Sequence, residues 1–273
     1  MLAEKKLFLF DIDGTVAVDN DLLDGSRELF SYIDAIGGMP IFITNNSTRG
    51  ICDYVQKFRR WGLSYTERNF VTAGYAACLY LKQQHVSGKI FVVGTRSFIQ
   101  ELKSHGLPVT GTIQPGIRCV LVGFDNELTY QKIADACELL ETQAVAYVAT
   151  NPDLCCPTAF GSVPDCGAIC RMIECAAGKK PHFVGKPDPF IVRLCLERSG
   201  FSAEQALVVG DRLYTDIACG INSGIQTAVV FTGEAKKTDL AETPFQPTFA
   251  FPSVKELYRE IIREREKLSA GQE

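Results

Sequence analysis

No stretch of this sequence approaches the roughly 18 consecutive apolar residues that a membrane-spanning helix needs, so a bilayer is not an expected partner. Basic residues are not in excess either. The 28 Lys and Arg are outnumbered by 32 Asp and Glu, giving a net charge of −4. A chain that grips nucleic acid usually presents a basic face, and nucleic acid is therefore not expected. The opening MLAEKK is followed by a short apolar run and then by acids, which is not the layout of a secretory signal. Cysteine is plentiful, with 11 residues between Cys52 and Cys219, but the count is odd and the spacing irregular. Disulfide frameworks belong to small secreted chains, so reduced and mostly buried thiols in a cytoplasmic protein are expected. The densest group, Cys155, Cys156, Cys166, Cys170 and Cys175, lacks the paired CxxC spacing of a structural zinc site. A GxxxxGK[ST] loop is missing, which argues against P-loop nucleotide chemistry. Internal repeats, heptads and low-complexity tracts are missing as well.

What the sequence does have is alternation. The chain has 273 residues, long for one core, and two domains are the first expectation. Short apolar runs read as buried strands: KLFLF, PIFIT (40–44), KIFVVG (89–94), CVLVGF (119–124), AVAYVAT (144–150), ALVVGD (206–211) and TAVVF (227–231). Between the first two, Leu29, Phe30, Ile33 and Ile36 share one helical face, and Gly37-Gly38 ends that helix. Arg49 to Trp61 and Ala73 to Gln84 also read as helices. The tail KELYREIIREREKL reads as an exposed amphipathic helix. Strand–helix–strand repetition predicts an α/β fold with a parallel sheet covered by helices.

The polar signals sit at strand ends: Asp11 and Asp13, Thr44-Asn45-Asn46, Lys186, and Asp211 with Asp216. Ligands of parallel sheets bind beyond the carboxyl ends of the strands. The first two signals are close in sequence, whereas the others lie some ~140 residues on, too far for one connection in a compact sheet. An inserted domain accounts for the gap. The expected division is a core from residues 1–81 and 181–273, interrupted by a smaller α/β domain over 82–180.

Carboxylates that converge at the lip of a core repel one another and lose hydration, so they call for a cation. An all-oxygen set prefers a hard ion such as Mg²⁺, which completes its shell with phosphate and water. Lys186 adds a positive point charge and Thr44 a hydroxyl. Gly14-Thr15 and Thr44-Asn45 can offer main-chain N–H groups to phosphate oxygens. Together they describe phosphoryl transfer, in which catalysis is mainly positioning and charge neutralisation. Asp11, directly at its strand end, is best fixed to act as nucleophile. Asp13, two residues on and on the same side of an extended chain, could protonate the leaving oxygen and later activate water.

DIDGT, ITNNS, VGKPDP and VGDRLYTD resemble the four motifs of the haloacid dehalogenase (HAD) phosphatase superfamily. VGFDNELTYQKI, ATNPD and CGAI resemble its NagD-like subgroup, in which an α/β cap is inserted between the second and third motifs. The similarity runs from about Leu7 to Ser253. It implies a Rossmann-like parallel-sheet core with helices on both faces and a cap domain. It also implies a Mg²⁺-dependent phosphatase acting on small phosphate monoesters, such as sugar phosphates or nucleoside monophosphates, through an aspartyl-phosphate. By the resemblance, Asp11 is the nucleophile and Asp13 the general acid and base. The ion is held by the Asp11 carboxylate, the Asp13 main-chain carbonyl and Asp211, with Asp216 supporting. Thr44 and Asn45 bind phosphate, and Lys186 pairs it with the nucleophile. Gly14 and Asn46 complete the candidate substrate-binding set. In the cap, Asn151 and Asp153 are candidates for contacting the leaving group, with a plain Asn-Pro-Asp turn as the competing reading. Cys155-Cys156 reads as packing. A phosphotransferase or phosphomutase would use the same aspartyl chemistry. A receiver-type signalling module would use a similar strand-end aspartate, but it would stop near ~120 residues in one domain. The resemblance allows a cap-mediated homodimer, which no residue pattern decides.

Overall fold

The structure is a computed structural model that describes residues 1–158 and 160–270. The chain divides into two compact units, one comprising Met1–Ile43, Val55–Val71 and Pro187–Glu273, the other Thr44–Tyr54 and Thr72–Lys186.

In the first unit, six described strands form one sheet. Their order is Phe249–Phe251, Gln226–Val230, Ala206–Gly210, Leu7–Phe10, Met39–Thr44 and Phe70–Thr72. The central strand Leu7–Phe10 runs parallel to both neighbours, with Phe10 opposite Val209 on one side and Phe42 on the other. All four of its residues are fully buried, as a strand covered on both faces requires. One face is packed with aromatic rings. Phe42 lies 4.4 Å from Phe58 and 5.3 Å from Phe70 between ring centroids, and Phe30 meets Phe10 and Phe42 edge-on. Such contacts add to the area term that dominates core stability. The helix Ser26–Ala35 contributes Leu29, Phe30 and Ile33 to this core, and Gly37 leaves it in the left-handed conformation at φ 66°.

The second unit has its own sheet, ordered His182–Phe183, Ala146–Ala149, Ile117–Val122, Lys89–Val93 and Val109–Thr110, with parallel pairs throughout. Helices start where their caps predict. The hydroxyls of Thr72 and Thr95 accept from the N–H groups of Tyr75 and Phe98 at 3.0 and 3.1 Å, opening helices Ala73–Gln83 and Arg96–Ser104. Phe91, Val120, Val122, Leu139, Ile169 and Ile173 pack in one core between the sheet and the helices Tyr130–Thr142 and Cys166–Ala177. An antiparallel hairpin pairs Cys155–Thr158 with Gly161–Pro164. The cysteines are unbridged thiols, and Cys78, Cys119, Cys166, Cys170, Cys195 and Cys219 are buried. No helix among the described residues is long and apolar enough to cross a membrane.

Candidate active site

The first unit gathers three carboxylates at one end of its sheet. Asp11 follows the strand Leu7–Phe10, and its N–H donates to the carbonyl of Val209 on the next strand at 2.9 Å. Asp211 follows that neighbouring strand, Ala206–Gly210. Because the two strands are parallel and in register, their carboxyl ends deliver the two aspartates to the same edge. Asp216 is brought in by a π-helical turn over Leu213–Ile217, a rare geometry that often marks functional sites. Its carboxylate accepts from the N–H of Arg212 at 3.0 Å. Carboxylate oxygens of Asp11, Asp211 and Asp216 lie within 4.8 Å of one another.

Asp211 is the most constrained of the three. It is 2% exposed, and its oxygens accept from the Thr15 hydroxyl at 3.1 Å and the Glu234 N–H at 2.8 Å. Burial, reinforced by the neighbouring Asp216 charge, pushes its carboxyl up to about 6 against the opposing pull of those two bonds and of Arg212. The loop after Asp11 is shaped around it. Gly14 has φ 93°, and a Cβ there would stand 2.6 Å from Asp211 Oδ2, so this position takes glycine on both counts. The Gly14 carbonyl in turn accepts from the Thr232 hydroxyl at 2.6 Å. Three carboxylates, two of them almost wholly buried and repelling each other, form the all-oxygen donor set that suits a hard divalent cation.

The Asp13 side chain stands apart from this cluster, about half exposed, and meets Lys57 Nζ at 3.3 Å. Lys57 is itself only 6% exposed and lies 5.2 Å from the centroid of the Trp61 ring. Sequence reasoning missed Lys57. It sits between Tyr54 and Phe58, both buried, so a lysine among the buried positions of Ile51–Arg60 was the available signal. That helix starts two residues later than the sequence predicts, because the Asp53 carboxylate accepts from the Gly50 N–H at 3.0 Å and turns the chain there.

The second unit holds the other candidates. Thr44 Oγ1 accepts from the Asn46 N–H at 3.1 Å, which closes a tight turn. Asn45 is buried, with its side chain bonded to both main-chain groups of Lys186: Nδ2 donates to the carbonyl and Oδ1 accepts from the N–H, each at 2.9 Å. Lys186 is 1% exposed. Asn151 and Asp153 are 0% and 2% exposed and bonded to each other, Asn151 Nδ2 donating to Asp153 Oδ2 at 2.9 Å.

Comparison with known proteins follows the same lines. Residues 8–108 match a family model for haloacid dehalogenase-like hydrolases, and residues 183–257 match a second HAD-hydrolase-like model. An acid sugar phosphatase of Staphylococcus aureus is 30% identical over 260 residues, covering 95% of this chain and 99% of that protein. Among solved structures, a 4-nitrophenylphosphatase from Thermotoga maritima superposes with a TM-score of 0.89 at 36% identity, over 94% of this chain and 98% of that one. A glycerol phosphate phosphatase from Mycobacterium tuberculosis, crystallised with magnesium, gives a TM-score of 0.87 at 27% identity, over 94% and 77% of the two chains. The chain belongs to the haloacid dehalogenase-like hydrolases, in their NagD-like phosphatase branch. It is accordingly a phosphoric monoester hydrolase.

Proposed function

We propose that the protein is a Mg²⁺-dependent phosphatase that hydrolyses small soluble phosphate monoesters through an aspartyl-phosphate on Asp11. The observation that carries this reading is the convergence of Asp11, Asp211 and Asp216 at the carboxyl ends of two adjacent parallel strands. Those three carboxylates, joined through the resemblance by the Asp13 carbonyl, would hold the ion, and a bound Mg²⁺ would neutralise charge on the transferring phosphoryl group.

The chain's own residues divide the remaining work. A carboxylate oxygen of Asp11 attacks phosphorus as the ester P–O bond breaks, and the departing oxygen takes a proton from Asp13. Asp13 then removes a proton from water, which attacks the acyl phosphate, releases inorganic phosphate and restores the Asp11 carboxylate. Lys57 steadies the half-exposed Asp13 carboxylate between these steps. Thr44, the Asn45 main chain, Gly14 and Asn46 are assigned to the phosphate, and Lys186 supplies its counter-charge, by motif resemblance. Residues 82–180 are assigned the role of a cap that selects the leaving group. The relatives named as phosphatases of sugar phosphate, glycerol phosphate and nitrophenyl phosphate support a small substrate. The unbridged thiols suit a cytoplasmic location.

The test is a screen of the purified protein over a panel of small phosphate esters, with and without Mg²⁺, and with an added hydroxyl compound as competing acceptor. Hydrolysis that requires Mg²⁺ and delivers phosphate to water is expected. Transfer to the added hydroxyl compound would make the protein a phosphotransferase instead. Full activity in excess chelator would overturn the reading.

A further inference from the structure

The segment that follows the strand Ala146–Ala149 is bonded inward. Asp153 Oδ2 accepts from two side-chain amides, Asn45 Nδ2 at 2.8 Å and Asn151 Nδ2 at 2.9 Å. Asn151 Nδ2 also donates to Asp165 Oδ1 at 3.2 Å, and its Oδ1 accepts from the Thr150 hydroxyl at 2.8 Å. Thr150 Oγ1 lies 3.1 Å from Ser47 Oγ, which accepts from the Phe124 N–H at 2.8 Å. None of Asn45, Ser47, Thr150, Asn151, Asp153 and Asp165 is more than 8% exposed. Polar groups buried this deeply must satisfy one another, and each removal leaves a neighbour unpaired.

We propose that Asp153 is a positioning residue, which orients the Asn45 side chain and through it fixes the main chain at Lys186. An asparagine amide has two ends of opposite hydrogen-bonding character. At Asn45 one end must donate to the Lys186 carbonyl while the other accepts from the Lys186 N–H. A carboxylate accepts only, so Asp153 admits nitrogen and not oxygen on its side of the amide. A flipped Asn45 would set oxygen against the Asp153 carboxylate and the Lys186 carbonyl, and N–H against N–H. Asp153 therefore reinforces the one orientation in which Asn45 clasps Lys186 and holds its amide in place. In the phosphatase reading, on which this inference rests, Asn45 and Lys186 serve the phosphate.

Two glycines show how closely the segments are drawn together. A Cβ on Gly185 would collide with the Thr150 carbonyl and stand 2.7 Å from Asn45 Oδ1. The Gly167 N–H donates to the Asp153 carbonyl at 2.8 Å, and a Cβ there would collide with the Pro152 carbonyl. The side chains of Asn151 and Asp153 are thus engaged with Asn45, Asp165 and each other, which assigns them to holding Asn45.

The test uses the full chain with Mg²⁺, and compares wild type with Asp153→Ala and Asp153→Asn. For Asp153→Ala, kcat/KM should fall by about tenfold or more, the scale of leaving buried polar partners unpaired, and by the same factor for aryl and alkyl phosphates. Inhibition by inorganic phosphate should weaken in parallel. Asp153→Asn keeps one acceptor oxygen and should lose about threefold, again uniformly. Independently of activity, the Asn45 side-chain NH₂ should exchange with solvent about tenfold faster in Asp153→Ala by NMR, because its best acceptor is gone. A loss that differs between leaving groups, kinetics equal to wild type, or unchanged Asn45 exchange would each overturn the proposal. If Asp153→Ala does not fold, Asp153→Asn decides on the same three criteria. A wild-type protein that hydrolyses no phosphate ester would defeat the phosphatase reading, while Asn45 exchange would still settle the positioning role.

Discussion

Replacing Glu101 by glutamine should stabilise the protein at neutral pH and leave it nearly unchanged in acid. Glu101 lies on the helix Arg96–Ser104, with Oε1 accepting from the Ile51 N–H at 3.1 Å. Its Oε2 is buried and has no hydrogen-bond partner among the described residues. Burial pushes the carboxyl from 4.5 up to about 7, helped by the Asp53 charge and opposed by the Ile51 bond. That rise converts to about 3 kcal/mol at 1.36 kcal/mol per pH unit. The unfolded chain loses this proton near 4.5 and the folded chain near 7. Ionisation therefore costs the folded state nothing below pH 4.5, progressively more between 4.5 and 7, and the full amount above 7. Glutamine keeps an oxygen for the Ile51 N–H and removes the charge. Urea unfolding should give Glu101→Gln a gain of about 2–3 kcal/mol at pH 8 and of under about 0.5 kcal/mol at pH 4.5. A gain of equal size at both pH values, or a loss at pH 8, would refute the electrostatic argument.

The remaining predictions concern the site. Asp11→Asn keeps the shape but removes the attacking charge, and hydrolysis of an aryl phosphate should fall by at least about a thousandfold in steady-state assays. Asp211→Ala should raise the Mg²⁺ concentration needed for half-maximal activity by about tenfold or more, since it deletes a buried donor of the three-carboxylate cluster; an unchanged Mg²⁺ titration would remove Asp211 from the metal site. Lys57→Met preserves the apolar stem but deletes the charge 3.3 Å from Asp13 that steadies its carboxylate, and should slow the activation of water, a step shared by all substrates, by a similar factor for aryl and alkyl phosphates. A loss confined to alkyl phosphates, or no loss at all, would separate Lys57 from that step.

Much of this arrangement could be read in advance because strand-end aspartates are a local signal. An apolar run buried on both faces, interrupted at once by a charge, places that charge at the sheet's edge. This held for Asp11 after Leu7–Phe10 and for Asp211 after Ala206–Gly210. Elements with less internal pattern escaped. The strands Phe70–Thr72 and Phe249–Phe251 are three residues each, and Val109–Thr110 and His182–Phe183 are two. Their extended conformation comes from the neighbouring strand they complete, so no periodicity of their own announces them. The tail helix Val254–Ala270, by contrast, carries its own pattern. Its charge pattern predicts an exposed amphipathic helix, and Glu256–Arg259 and Glu260–Arg263 do pair along its surface. Val254, Leu257 and Ile261 form its buried face, spaced so that three or four residues return each to one stripe.

The same distinction between local and relational information explains the polar candidates. A carboxylate at a strand end needs only its own neighbours in sequence to be recognised. Whether Asn151 and Asp153 face a ligand or a protein amide depends on Asn45, 108 positions before Asp153, and on Asp165, 14 positions after Asn151. The motif ATNPD is equally compatible with both, because an Asn-Pro-Asp sequence turns the chain in either case. Lys57 was hidden for the same reason. A lysine in an amphipathic helix reads as a solvated charge until a fold sets a half-exposed aspartate 3.3 Å from its ammonium and a tryptophan ring centroid 5.2 Å from it. Residues that act by holding others are specified by their partners, and in this chain those partners come from distant parts of the sequence.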